Sequence, residues 1–173
     1  TRYIGDWSSD VCSSDLALGG GLTLATMAER QAAAAFDRGV EGFYAADAGL
    51  ERAIADLGDL ADWSAVLDGR LQSTFVDGAA GGSRVLADAT TIDLTTLTPA
   101  NSTLFAYGRL SALLPGAIDS SFYVVCWMSD DAADIDGNPR RDSNGTVRLL
   151  AHAYGPGGIR RMVEATVSRH AAG

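Results

Sequence analysis

The chain holds 173 residues, 47% hydrophobic and 20% charged, a balance that argues against wholesale disorder and a polytopic membrane protein and suits one domain with a real core. A formal net charge of −9, from 22 acidic against 13 basic residues, gives no electrostatic footprint for nucleic acid. The two cysteines, Cys12 and Cys126, form no CxxC and have no nearby His, so neither a disulfide framework nor a zinc site is expected.

In chain order, Thr1 to Leu16 contains a near-repeat, Ser8-Ser9-Asp10 and then Ser13-Ser14-Asp15, and has no periodicity. It resembles translated sequencing-adapter DNA, so residues 1–16 read as a non-native artefact and are set aside with Cys12; the other reading is a polar leader lacking the charged and apolar parts of a signal peptide. From Leu16 to Leu57 there is no Pro and Ala is abundant, which predicts one continuous helix. In its later half Phe36, Val40, Phe43, Asp47, Leu50, Ile54 and Leu57 alternate steps of four and three, placing them on one stripe as a packing seam requires. Asp47 in that seam either sits half-exposed at the margin of a core or pairs with a basic group of a neighbouring subunit. Leu16 to Ala28 carries no charge but is shorter than the ~20 residues that a bilayer span needs. It is either a buried helix start or the end of a transmembrane helix whose upstream part is missing.

The run GFYAADAGLERAIADL, Gly42 to Leu57, resembles the AFYAAEAGLERAL pattern that follows the membrane helix in PilX-type pilus assembly proteins and related minor pilin-like subunits. Asp47 stands where that pattern has Glu, which keeps the charge and shortens its reach. The resemblance implies a subunit anchored in the bacterial inner membrane, with its head outside the cytoplasm. After a peptidase removes a basic leader, such a subunit packs into a pilus or pseudopilus filament through its helix. The leader, the cleavage site and the family's early acidic residue have no counterpart here. Type IV pili and type II secretion pseudopili share this subunit plan, and the resemblance fits both.

Gly58 to Pro115 reads as loops and short strands, punctuated by Gly78 to Gly82 and a Thr-rich run. Ser120 to Met128, SSFYVVCWM, is aromatic and β-branched and predicts a core strand, with Cys126 as a buried small hydrophobe. Thr146 to Tyr154 and Ile159 to Arg169 flank Gly155-Pro156-Gly157-Gly158 and predict a hairpin. In its second strand Ile159, Arg161, Val163, Ala165 and Val167 share one, mainly apolar face. His152 reads as an edge or surface residue rather than a ligand.

Ser129 to Gly145 holds Asp130, Asp131, Asp134, Asp136, Asn138, Asp142 and Asn144, hard oxygen donors at a density that suits calcium. Asp134, Asp136 and Asn138 have the spacing that opens an EF-hand loop, but Gly137 falls one place early and Pro139 interrupts the pattern. The alternatives are a calcium site, for which Asp134, Asp136 and Asp142 are the first candidates, and a solvated acidic turn neutralised by Arg140 and Arg141. No catalytic motif is present, so no enzyme and no organic cofactor are expected.

The sequence therefore predicts an α+β, pilin-like fold: a long N-terminal helix on an antiparallel sheet that ends in a C-terminal hairpin. Residues 17–57 form the helix and 58–173 the head. The expected function is that of a structural minor pilin-like subunit, with other pilin subunits and the inner membrane as partners and no nucleic acid. The alternatives are a calcium-binding adhesion or interaction module, and a soluble globular domain unrelated to pili.

Overall fold

The computed structural model describes residues 8–113, 116 and 119–169, with the backbone alone for 8–18. Residues 1–7 of the stretch read as an artefact, and His170, lie outside the described residues, as does the side chain of Cys12. The chain divides into two compact units, Thr1–Arg38 and Gly39–Gly173. Helix α1, Ser8–Gly58, begins in the first unit and ends in the second. Among the described residues no helix is long and apolar enough to cross a membrane.

In the first unit the helix exposes Leu22, Leu24, Met27 and Phe36. The hydroxyls of Thr23 and Thr26 donate back to the carbonyls of Gly19 and Thr23, so these polar side chains are satisfied within the helix itself.

The second unit is α+β. Its main sheet has four antiparallel strands in the order β3-β4-β5-β6: β3 Ser102–Arg109, β4 Tyr123–Asp130, β5 Thr146–Gly155 and β6 Ile159–Ser168. The last two form the predicted hairpin. Pro156–Gly158 makes the turn, with Gly157 and Gly158 at φ 71° and 74°, a conformation that a side chain disfavours. Strand β3 lies in the segment read as loops and short strands, and it takes one edge of the sheet over eight residues.

One face of this sheet packs on α1. Val124, Cys126 and Met128 of β4 and Leu149, Ala151 and Ala153 of β5 point to it and are buried. A register shift between Leu104 and Ala106 turns Phe105 and Ala106 both into this core. Ile159, Val163, Ala165 and Val167 pack against it from β6, following the two-residue period expected there. The helix meets the sheet along Gly39, Gly42, Ala46, Gly49, Ala53 and Leu57, all buried. Small residues let the two backbones approach closely: a Cβ at Gly42 would lie 2.9 Å from the Phe122 ring, and one at Gly49 would land on Val124. Beyond the glycines, full burial of a side chain such as Leu57 contributes about 1.5–3 kcal/mol.

The end of α1 is fixed by side chains. Trp63 donates its indole N–H to the Leu57 carbonyl at 2.9 Å. Arg169, just past β6, donates to the carbonyls of Leu60 and Ala61 and lies 4.2 Å over the Trp63 ring. The Leu57 carbonyl in the last turn is thereby satisfied locally, and two carbonyls just past the helix are satisfied from the far end of the chain.

The opposite face of the sheet is covered by the middle segment. There β1 Ser83–Val85 pairs with β2 Thr91–Asp93, and α3, Leu94–Leu97, follows with Asp93 accepting from the amides of Thr95 and Thr96. Leu86 and Leu94 close over Tyr107, Tyr123, Val125 and Trp127. The short helix α2, Ser64–Leu67, buries Ala65, Val66 and Leu67, of which Val66 and Leu67 join the helix-side core.

Candidate functional site

Two regions correspond to the residues singled out in the sequence: the helix stripe and the acidic loop. The stripe divides. Leu57 is fully buried and Leu50 4% exposed, Ile54 and Asp47 are half-buried, and Val40 and Phe43 are 39% and 48% exposed. Phe36, in the first unit, is 71% exposed. The cause is rotational. Gly39, Gly42, Ala46, Gly49 and Ala53, which meet the sheet, each precede a stripe position by one, which at 3.6 residues per turn turns the buried face about 100° away from the stripe. Leu50 and Leu57 lie where the two faces overlap.

Within the second unit, Val40, Phe43 and Tyr44 are therefore large apolar residues facing water. Phe43 and Tyr44 stack edge to face with ring centroids 5.9 Å apart. Tyr44, 65% exposed, falls outside the heptad-like stripe and was not singled out. The signal that could have found it was the aromatic pair itself, next to a face that glycine and alanine reserve for packing.

The acidic loop joins β4 to β5. Oxygens of Asp130, Asp134 and Asp136 come within 4.8 Å of one another. Two of the three calcium candidates are brought together, Asp130 joins them, and Asp142 does not. Instead Asp142 accepts from the amides of Gly145 and Thr146 at 2.7 and 3.2 Å, fixing the start of β5. Asp130 was legible only as one acid among several, since its place at the end of β4 sets its direction.

Most of the loop's oxygens serve its own backbone. Asp134 accepts from the Asp136 amide and from both the amide and hydroxyl of Ser143; Asp136 and Asn138 accept from the amides two residues on. Those bonds from Ser143 hold the Asp134 carboxyl below its ordinary range. Asp130 is shifted the other way: burial pushes its carboxyl up, and the charges of Asp134, Asp131 and Asp136 add to the effect. Its Oδ1 is buried without a hydrogen-bond partner among the described residues. Arg141 lies 3.9 Å from Asp136, at the limit of an ion pair, and Arg140 makes no ion pair among the described residues. Three carboxylates so placed have the chemistry for a hard divalent cation, but the hydrogen bonds at Asp134 compete with it for the same oxygens.

His152 corrects the expectation of a surface position. It is 4% exposed, on the face of β5 turned away from α1, with its ring 4.9 Å from that of Trp127 in an edge-to-face contact. Arg160 donates to Nδ1 at 2.9 Å, so the proton of the neutral ring sits on Nε2, which has no partner among the described residues. Burial and the Arg160 charge lower its pKa to about 4. Cys126 is buried on the helix side, where desolvation pushes its thiol up to about 12.

No family model matches the chain, and neither a curated protein nor a solved structure matches it.

Proposed function

We propose that this chain is a structural, minor pilin-like subunit that joins a type IV pilus or related pseudopilus through helix α1. The observation that carries the reading is the division of labour around that helix. Glycine and alanine face the sheet, while Val40, Phe43 and Tyr44 lie turned away from it and, among the described residues, stay 39%, 48% and 65% exposed. Apolar side chains facing water on a helix gain from burial against a second helix, at about 25 cal/mol for each Å² covered. Asp47, half-buried at the margin of this face, would penalise misaligned pairing and so help set register. The GFYAADAGLERA run lies within the same segment. In this reading the intact subunit is held in the inner membrane with its sheet domain outside the cytoplasm, and its partners are the helices of other pilin subunits.

The test is photo-crosslinking from position 43 in bacteria that assemble the filament. Crosslinks to pilin subunits in sheared filaments are expected, and the Phe43→Glu variant should be missing from that fraction while its melting temperature stays unchanged. A chain that never enters the filament fraction and gives no crosslink to a pilin overturns the reading.

A further inference from the structure

The two edges of the main sheet are treated differently. Along β3 the segment Ser73 to Val76 lies against the outer edge: the Ser73 amide donates to the Phe105 carbonyl, the Tyr107 amide to the Phe75 carbonyl, and Val76 bridges to Tyr107. Asp56 of α1 holds this segment in place by accepting from the Ser73 hydroxyl and the Thr74 amide. Along β6 no strand or loop among the described residues pairs with the outer edge. That edge runs ten residues with no proline and no register shift, and every second N–H and C=O points away from β5. Its side chains on the face away from α1, Arg160, Met162 and Glu164 among them, are exposed, Met162 at 67%.

We propose that β6 is an interaction surface for a second copy of this chain, and that the two β6 strands pair antiparallel about a two-fold axis at Met162. The charge pattern selects both occupant and register. An antiparallel pairing that keeps every side chain on its own face must match residues whose numbers sum to an even value. With Met162 opposite Met162, Arg160 lies opposite the second copy's Glu164, and Glu164 opposite the second copy's Arg160, so one sequence supplies two ion pairs around an apolar centre. The neighbouring registers lose this. Centring on Val163 sets Met162 against Glu164, centring on Glu164 opposes two carboxylates, and centring on Arg161 or Arg160 opposes two guanidinium groups.

The side chains are already held for the purpose. Arg160 is anchored by its bond to His152 Nδ1 and lies 5.6 Å over the Tyr154 ring, and no carboxylate among the described residues lies within 4.0 Å of it. Glu164 has Arg148 3.5 Å away on β5 and keeps half its surface exposed. This pairing stands apart from assembly through α1 and does not depend on it.

The test is sedimentation equilibrium of the full chain and of two charge variants, alone and mixed. The wild-type chain is expected to dimerise reversibly. Arg160→Glu and Glu164→Arg alone each turn both ion pairs into repulsions and should weaken the dimer about tenfold or more. Mixed in equal amounts, the two variants restore both pairs and should form a heterodimer tighter than either homodimer. A Met162→Cys chain, in a Cys12→Ser background, should give a disulfide-linked dimer on mild oxidation, and this decides the matter if Arg160→Glu does not fold. A chain that stays monomeric and gives no disulfide overturns the proposal. So does a dimer that both charge variants leave unchanged, the result expected if the exposed helix residues alone hold two copies together.

Discussion

The two faces of the four-stranded sheet are closed by different means. On the side of α1 the buried side chains of β4 and β5 are Val124, Cys126, Met128, Val147, Leu149, Ala151 and Ala153, and none of them needs a hydrogen bond. Closure there is a matter of fit between a glycine- and alanine-lined helix and a flat apolar surface. On the other side Tyr107, Tyr123, Trp127, His152 and Tyr154 carry polar tips into the interior. Tyr107 donates to the Gly78 carbonyl at 2.7 Å and Trp127 to the Thr98 hydroxyl at 3.1 Å, so the middle segment serves as lid and hydrogen-bond acceptor together. The two orphaned atoms among these residues, Tyr123 Oη and His152 Nε2, are both on that face. A face closed by shape alone is sensitive to volume, whereas a face closed by shape and polar partners is also sensitive to protonation.

Volume gives the largest expected effect. Gly49→Leu would drive a side chain into Val124 and Cys126, which have no room to withdraw, and should destabilise the chain by about 3 kcal/mol, read as a fall in the urea midpoint. The same change at Gly58 meets open space and should cost far less. Equal losses at the two sites would mean that close approach of helix and sheet is not what Gly49 provides.

This difference between faces also explains what could be read in advance. The helix, β4, the hairpin and the in-and-out alternation of β6 all rest on local pattern, and each was legible. The buried face of α1 was not, because Phe36, Val40 and Phe43 outweigh Gly39, Gly42 and Gly49 in any apolar periodicity, although only the small residues let the sheet come close. Strand β5 has neighbours on both faces, so Leu150, Ala151 and His152 follow no two-residue alternation and the lone polar residue looked like surface. In the acidic loop the density of Asp fitted either a calcium site or a solvated turn, and Asp131, Asp134, Asp136 and Asp142 accept from backbone amides. Asx turns and calcium loops draw on the same residues, and spacing alone does not separate them.

Protonation gives the next effect. His152 is neutral in the folded chain with a pKa lowered to about 4, against 6.5 when unfolded. The unfolded chain therefore takes up the proton first as pH falls. Stability is fully present above pH 6.5, declines as pH drops toward about 4, and loses nothing further to this group below that. The loss is on the order of 3 kcal/mol at most, at about 1.4 kcal/mol for each pH unit. His152→Phe keeps an aromatic ring against Trp127 and should flatten the part of the stability profile between pH 6.5 and 4. Parallel profiles for the variant and the wild-type chain would show that His152 does not make this face sensitive to pH.

The smallest effect separates two hydroxyls a strand apart. Tyr107→Phe removes the bond to the Gly78 carbonyl and leaves that acceptor unpaired, so the chain should lose about 1 kcal/mol. Tyr123→Phe removes a buried hydroxyl that has no hydrogen-bond partner among the described residues. Burial, with Asp77 beside it, pushes that phenol well above its usual pKa, so it stays neutral in the folded chain and its removal discards no charge. The ring keeps its contacts with Leu86 and Val125 while the cost of drying the oxygen disappears, so stability should hold or rise by up to about 1 kcal/mol. Opposite signs for two chemically identical substitutions, measured as shifts of the thermal midpoint, would establish that hydrogen-bond satisfaction rather than ring volume governs this face. A loss at Tyr123 equal to that at Tyr107 would mean that the hydroxyl is in fact bonded, with the Asp77–Arg84 pair as the partner to examine.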